Sequence, residues 1–127
     1  MEYGGKVSLE KLIDSMSNKR IPEYIAARIF KQCLIALDFL HSQNIYHRDI
    51  KLGNVLVTDD QIAKLIDFGF SVKGNGTKLT TYCGTPCYMS PEILMKKPYN
   101  AVFADIWAMG VLLYRMVTGV QPFKGIF

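Results

Sequence analysis

The sequence has few of the residues that mark several common protein classes. Its three cysteines, Cys33, Cys83 and Cys87, are an odd number whose spacing fits neither a zinc site nor a disulfide framework, so reduced thiols are expected. Its basic residues are scattered singly or in pairs, without the basic helix of a nucleic-acid-binding protein. No charged segment followed by an apolar one opens the chain. These absences predict an intracellular protein, cytoplasmic or nuclear, that does not bind nucleic acid.

Apolar residues, in contrast, are abundant. Half of the 127 residues are hydrophobic and 12% are aromatic, which is typical of a globular protein and excludes a disordered one. The length predicts one domain over residues 1–127. The formal net charge of +4 suits an anionic small ligand without identifying one.

One apolar stretch, residues 101–120, is long enough to span a bilayer. It contains Asp105 and Arg115, each of which would cost about 2.5–3.5 kcal/mol near the middle of a membrane. In a soluble protein, a helix that is apolar nearly all round lies in the core. We therefore expect a central core helix here and no membrane span.

Helical periodicity marks two further segments of the chain. The first lies within residues 8–16, with Ser8 as its N-cap, and the second runs from about Pro22 to Ser42. Asn100 is expected to cap the apolar core helix in the same way. These signals predict a mainly helical protein.

Strand and loop signals occupy the middle of the chain. Two short apolar runs, residues 55–57 and 62–66, flank the turn sequence TDDQ and predict a small β-hairpin. Residues 67–92 show no sustained period and are rich in glycine, threonine, serine and proline, so we expect a long loop. Long loops inside compact domains are uncommon and are usually functional.

The polar stretch HRDIKLGN, residues 47–54, directly precedes the predicted hairpin. Its Asp49 and Asn54 could respectively accept a proton and hold a cation. Asp67 lies just past the hairpin, and its carboxylate can return close to Asn54 because the hairpin folds the chain back. One carboxylate and one amide oxygen suit Mg²⁺, which takes the rest of its ligands from water and phosphates.

Four segments together resemble a known family. HRDIKLGN resembles the catalytic loop of protein kinases, and DFG at residues 67–69 resembles their metal-binding motif. GTPCYMSPE at residues 84–92 resembles the end of the activation segment, and DIWAMG at residues 105–110 resembles the start of the buried helix of the larger lobe. The resemblance covers the whole chain. It implies an α+β fold, the mainly helical larger lobe of the protein kinase-like fold with a small β-hairpin.

The resemblance also implies a role for each matching polar residue. Asp49 would accept the proton of the substrate hydroxyl, and Lys51 would steady the phosphoryl group that ATP transfers. Asn54 and Asp67 would hold the Mg²⁺ ions that bridge the phosphates. Lys51, Asn54 and Asp67 would thereby contribute to ATP binding.

The start of the sequence resembles the hinge between the two kinase lobes, where the adenine ring binds. Met1 would guard the back of this pocket, Glu2 would lie in the hinge, and Gly4 would offer its backbone N–H. Leu56, on the hairpin, would pack under the adenine.

Two other matches are expected to be structural. The ring of His47 would pack beneath Phe68 rather than act as a base. Asp105 would tie the core helix to the backbone of the catalytic loop, because an unpaired buried carboxylate costs several kcal/mol.

The residues beside the catalytic aspartate indicate the branch of the family. Lys51 resembles the lysine of serine/threonine kinases, and Thr85 matches the threonine that sits beside the catalytic residues in that branch. The resemblance therefore implies protein substrates that carry serine or threonine.

A regulatory set is implied as well, consisting of Arg48, Thr81 and Thr85. An arginine before the catalytic aspartate is typical of kinases that a phosphate on the activation segment switches on. Thr81 occupies the usual position of that phosphate, with Thr80 and Thr77 as neighbours, and the alternative is that these threonines are simply loop residues. A phosphothreonine carries about −1.5 to −2 charges and can form 1–3 hydrogen bonds to such an arginine.

Parts of a complete kinase domain have no counterpart in these 127 residues. They are the glycine-rich loop, the strand lysine that binds the phosphates and the helix glutamate that pairs with that lysine, all in the smaller lobe. The C-terminal helices of the larger lobe are absent too. We expect the central part of a kinase domain, inactive and unstable by itself, with apolar faces of both long helices exposed.

Two alternatives stay open at this point. A non-catalytic, pseudokinase-like or truncated protein could act as a binding or regulatory module, although the intact Asp49, Asn54 and Asp67 argue against a decayed site. A metal-dependent phosphohydrolase built on Asp49 and Asp67 is favoured only if the family resemblance is set aside.

Overall fold

The computed structural model describes residues 6–123. Helices dominate this part of the chain, and the strands are short. The elements, in chain order, are β1 (Lys6–Ser8), α1 (Leu9–Ser15), α2 (Glu23–Ser42), β2 (Ile45–Tyr46), β3 (Val55–Thr58), β4 (Ala63–Leu65), β5 (Val72–Lys73), α3 (Pro91–Leu94) and α4 (Ala101–Thr118). Single 3-10 turns form at Leu52–Asn54 and Pro86–Tyr88. The expected α+β fold is confirmed.

The two N-terminal helices begin where their caps predict. The hydroxyl of Ser8 accepts a hydrogen bond from the Lys11 N–H at 3.1 Å, which satisfies one of the free N–H groups of α1. Pro22 takes the N-cap position of α2, one residue before the predicted first turn. Its carbonyl accepts hydrogen bonds from the Ile25 and Ala26 N–H groups, both at 3.0 Å. The predicted start of α2 therefore differs from the observed start by one residue.

Helix α4 forms from the apolar stretch that is long enough to span a bilayer. By length and composition it could cross a membrane, the one such helix among residues 6–123. Its side chains Met109, Leu112 and Met116 are at most 1% exposed and belong to the main core, where α4 packs against α2. The Asn100 side chain caps it by accepting the Val102 N–H at 2.9 Å. The packing is that of a core helix.

The predicted hairpin is present and belongs to a larger sheet. Strands β3 and β4 pair antiparallel, with Val55 opposite Leu65 and Val57 opposite Ala63. Strand β1 adds to the other edge of β3, an extension that the sequence did not predict. Side chains alternate along β3, so Val55 and Val57 enter the core while Leu56 lies on the other face of the sheet.

The segment predicted as a long loop, residues 67–92, is irregular but not without structure. Its start forms β5, which pairs antiparallel with β2 through Tyr46 opposite Val72. Its end contains the 3-10 turn Pro86–Tyr88 and the first residues of α3. Two-residue strands carry no periodic signal, so the sequence could not have predicted the pair β2–β5.

Large apolar side chains are exposed on the outer faces of both long helices, as expected from the sequence. Their exposed fractions range from 41% to 67%, and they are Tyr24, Leu34, Ile35 and Phe39 on α2 and Phe103, Ile106 and Tyr114 on α4. The opposite faces of the same helices form the core, so this part of the chain buries only one side of each helix.

A buried thiol in α2 makes this fold less stable at alkaline pH. Cys33 is 1% exposed, and burial raises its pKa from 9.0 to about 11. Between these two pH values the unfolded chain loses the thiol proton before the folded one does, so the free energy of unfolding falls as pH rises. The loss reaches at most about 2–3 kcal/mol.

We expect Cys33→Ala to remove this part of the pH dependence. Urea unfolding of both proteins at pH 8 and pH 10.5 measures it, because other groups that titrate in this range contribute equally to the two proteins. Equal losses of stability in wild type and variant would contradict the assignment.

Candidate active site

One buried carboxylate holds the loop that follows β2. Asp105, in the second turn of α4, is 1% exposed. Its Oδ1 accepts the backbone N–H of Arg48 at 3.0 Å, and its Oδ2 accepts the backbone N–H of His47 at 3.0 Å. The same Oδ2 lies 2.8 Å from Nε2 of His41, on α2. The expected tie between core helix and loop is present, and His41 is a third partner that the sequence analysis missed.

This tie supports an unusual backbone conformation at the centre of the loop. Arg48 has φ of 69°, in the left-handed region that non-glycine residues rarely adopt. Such a conformation costs on the order of 1–3 kcal/mol and persists only where its surroundings determine it. The two hydrogen bonds that Asp105 accepts from consecutive N–H groups provide that constraint, and they direct the next residue, Asp49, toward the site.

The Asp49 carboxylate lies among three of the predicted residues. It is 8% exposed, and its Oδ1 accepts the Thr85 hydroxyl at 3.0 Å. Its Oδ2 accepts the Asn54 side-chain amide at 3.2 Å and lies 3.9 Å from Nζ of Lys51. The structure therefore brings Asp49, Lys51, Asn54 and Thr85 together.

Gly84 allows the activation segment to approach this closely. Its φ is 110°, and a Cβ at this position would lie 2.9 Å from the carbonyl oxygen of Arg48. Any side chain here would push the segment, and with it Thr85, away from Asp49.

Asn54 and Asp67 are connected through the hairpin. The Asn54 amide also donates to the Asp49 carbonyl at 2.8 Å, so both of its side-chain hydrogen bonds use Nδ2 and Oδ1 is the atom that can face a cation. The Asn54 carbonyl accepts the Ile66 N–H at 2.9 Å, which places Asp67 one residue away from this contact. Asp67 is exposed and has φ of 58°, and its Oδ1 accepts the Gly69 N–H at 3.2 Å.

The donor set at this place fits Mg²⁺ only when a phosphate ligand is present. Residues 6–123 contain no cluster of three or more His, Cys, Asp or Glu side chains that could hold a metal. One carboxylate and one amide are too few for a site built from protein ligands alone. Magnesium commonly keeps waters and takes substrate phosphates as further ligands, so Asp67 and Asn54 match its preference in a nucleotide site.

Both ring nitrogens of His47 form hydrogen bonds. Nδ1 accepts the Asp49 backbone N–H at 3.1 Å, and Nε2 donates to the Ile66 carbonyl at 2.8 Å. The ring also packs against Phe68, with centroids 4.8 Å apart. Both nitrogens therefore serve to connect the loop to the strand end, in agreement with the structural role expected for His47.

The guanidinium of Arg48 reaches the activation segment. Its Nε donates to the Phe70 carbonyl at 2.9 Å, and its Nη1 donates to the Thr81 carbonyl at 3.1 Å and to the Tyr99 hydroxyl at 3.0 Å. The Thr81 side chain is exposed. Arg48 and Thr81 are thus neighbours, as the sequence analysis expected, while Tyr99 was missed.

Tyr88 is a third side chain, after His41 and Tyr99, whose contacts sequence reasoning missed. Its hydroxyl accepts the backbone N–H of Leu52 at 3.2 Å and Nη1 of Arg115 at 3.1 Å. Burial raises the pKa of Tyr88, so the phenol keeps its proton. Next to it, Ser90 is 2% exposed and its hydroxyl has no hydrogen-bond partner in the described part of the chain.

The predicted adenine site is described only in part. Met1, Glu2 and Gly4 lie outside residues 6–123. Leu56 is partly exposed on the face of the sheet away from the core, paired with Ser8 on β1 and Lys64 on β4. An apolar side chain at this position is available to a planar ligand.

Comparison with known proteins decides the family. The family described as protein kinase domain matches residues 1–126. The chain belongs to this family. The two motifs that resemble the kinase catalytic loop and the start of the activation segment, at residues 47–54 and 67–69, lie within the matched residues.

Curated relatives point to the serine/threonine branch. The chain is 39% identical over 97% of its length to CBL-interacting serine/threonine-protein kinase 21 of Arabidopsis thaliana, covering 29% of that protein. It is 42% identical over 93% of its length to the probable serine/threonine-protein kinase MARK-B of Dictyostelium discoideum, covering 18%. It is 46% identical over 85% of its length to serine/threonine-protein kinase kin-29 of Caenorhabditis briggsae, covering 13%. The chain spans less than a third of the length of each.

We expect Asp105→Asn to destabilise the protein by roughly 3 kcal/mol, because it removes the buried charge that three donors face and turns an amide toward them. Urea unfolding followed by the fluorescence of Trp107, the single tryptophan, measures the change. Asp38→Asn, an exposed carboxylate on α2, is the matched control. Equal stabilities of the two variants would contradict the central role of Asp105.

Proposed function

We propose that this chain carries the catalytic loop and activation segment of a serine/threonine protein kinase, which transfers the γ-phosphate of ATP to a serine or threonine hydroxyl of a protein. The observation that carries the proposal is the Asp49 carboxylate, held by Thr85 and Asn54 with Lys51 beside the same oxygen that Asn54 contacts. This arrangement places an acceptor for the hydroxyl proton beside a cation for the phosphoryl group.

Each residue of the site has a separate role in the transfer. Asp49 orients the substrate hydroxyl and accepts its proton, while the Lys51 ammonium offsets negative charge on the transferred group. Asn54 and Asp67 would hold Mg²⁺, which when bound neutralises charge on the phosphates. Leu56 and the hinge residues Met1, Glu2 and Gly4 would receive the adenine. Membership of the protein kinase family supports ATP and Mg²⁺ only as general features of kinases.

Residues 1–127 by themselves are proposed to be inactive. They include no glycine-rich loop and no strand lysine to position the α- and β-phosphates. Positioning and charge neutralisation supply most of the catalysis in phosphoryl transfer. The γ-phosphate of an ATP held only by these residues would therefore be transferred very slowly.

The activity test compares two variants of the full-length natural protein that contains these residues. We expect Asp49→Asn to lower kcat by at least about 100-fold, because the proton acceptor is lost. Asp60→Asn, an exposed carboxylate in the hairpin turn, should leave kcat unchanged. Transfer of labelled phosphate from ATP to a serine/threonine peptide library measures both.

A separate assay on residues 1–127 alone should show no transfer. Equal activity of Asp49→Asn and wild type would contradict the assignment of Asp49. Robust transfer by residues 1–127 would contradict the proposed inactivity.

Thr81 is proposed as the residue whose phosphorylation activates the enzyme. Its side chain is exposed, and its own carbonyl already accepts Nη1 of Arg48 at 3.1 Å, so a phosphate on it would find this guanidinium nearby. We expect Thr81→Ala to abolish activation by an upstream kinase. The variant should have about tenfold lower activity than the activated wild type, which corresponds to about 1.4 kcal/mol of lost interaction. Thr80→Ala and Thr77→Ala are the controls. Phosphosite mapping that finds one of these two required instead of Thr81 would overturn the choice.

A further inference from the structure

Tyr99, in the turn between α3 and α4, connects Arg48 to the activation segment. The residue is 3% exposed. Its hydroxyl donates to the Thr81 carbonyl at 2.7 Å and accepts Nη1 of Arg48 at 3.0 Å. Because Nη1 also donates to the Thr81 carbonyl, these three groups form a closed hydrogen-bonded triangle. The hydroxyl uses its proton and one lone pair in it.

The backbone of Tyr99 reinforces the same contact. Its carbonyl accepts the Leu79 N–H at 2.9 Å, and its N–H donates to the Leu79 carbonyl at 3.1 Å. The ring belongs to a small apolar cluster with Ile93 and Ala104, against which Leu79 packs. Residues 79–81 are therefore held at both ends, by the backbone of Tyr99 at Leu79 and by its hydroxyl at Thr81.

Arg48 makes its contacts to this segment without a negative partner. Within residues 6–123, Arg48 forms no ion pair, and its guanidinium donates to two carbonyls and one phenol. A guanidinium has several donors on a long flexible stem, so neutral acceptors in fixed positions are needed to hold its direction. The buried Tyr99 hydroxyl is one such acceptor. It also donates to the Thr81 carbonyl and so fixes a second acceptor of Arg48 in place.

We propose that Tyr99 is a positioning residue that docks residues 79–81 onto Arg48 before any phosphate is attached to the activation segment. The hydroxyl does what a phosphate on the segment would otherwise do, which is to join Arg48 to the segment. It acts on Asp49 only through Arg48, the preceding residue. The docking is inferred from these hydrogen bonds alone, whereas its effect on catalysis rests on the proposed function.

The variant Tyr99→Phe tests the docking, because it keeps the ring in its apolar cluster and removes only the hydroxyl. Tyr82→Phe is the matched control. The Tyr82 ring lies 6.0 Å from that of Tyr99, and its hydroxyl makes no hydrogen bond in the described part of the chain. Both variants lose one oxygen atom at neighbouring positions.

Trypsin cleavage after Lys78 reports the opening of the segment, because this exposed lysine directly precedes Leu79. In the unphosphorylated protein, we expect Tyr99→Phe to accelerate this cleavage about fivefold to tenfold, and Tyr82→Phe to leave it unchanged. Cleavage after Lys31, an exposed lysine in α2, measures global unfolding in the same digest. Equal rates after Lys78 in both variants would overturn the proposal, and so would a parallel acceleration at Lys31 and Lys78, which marks a merely structural role.

The effect on catalysis is measured in the full-length natural protein. With Thr81→Ala as background, Tyr99→Phe should lower kcat about fivefold and leave the KM for ATP unchanged, since adenine contacts are not involved. With Thr81 phosphorylated, the kcat of Tyr99→Phe should return to that of the phosphorylated wild type. A persistent defect after phosphorylation would contradict the equivalence of hydroxyl and phosphate. If no variant transfers phosphate, the proposed function fails, and the digestion after Lys78 still decides the docking role of Tyr99.

Discussion

The buried carboxylate of Asp105 is the constraint on which the site depends. A charged group that is 1% exposed must be surrounded by donors, because its desolvation costs several kcal/mol. The donors come from the side chain of His41 on α2 and from two consecutive backbone N–H groups of the catalytic loop. The two longest helices and the loop thus meet at one carboxylate. The left-handed backbone of Arg48, and with it the direction of Asp49, follows from this requirement.

Local sequence signals were enough to predict most of the regular structure. Ser8 and Asn100 cap α1 and α4 through contacts two or three residues away, so the boundary of each helix is encoded beside it. The β3–β4 hairpin is likewise a contact between neighbours in the chain. Strands β1, β2 and β5 were missed because each has only two or three residues, and their pairing partners lie far along the sequence.

The same distinction applies to the site. Asp49 and Asn54 are five residues apart on one loop, so their polar character and spacing are visible in the sequence. The contacts of Arg48 with Tyr99 and of His41 with Asp105 span 51 and 64 residues. A tyrosine or histidine in those positions has no local feature that distinguishes it from an ordinary core residue. Only the folded chain shows that these two side chains hold the loop and the activation segment.

The catalytic loop and the activation segment are held by interactions of different strength. The loop is tied to a buried charge through its backbone and to the main core through Ile50 and Leu52, so displacing it would expose both the charge and the core. The activation segment around Thr81 depends on a few hydrogen bonds to Arg48 and Tyr99, each worth about 1 kcal/mol or somewhat more. A modification worth a few kcal/mol can therefore move the segment while the loop stays in place. Arg48 takes part in both sets of contacts and directly precedes Asp49, so it connects the segment to the loop.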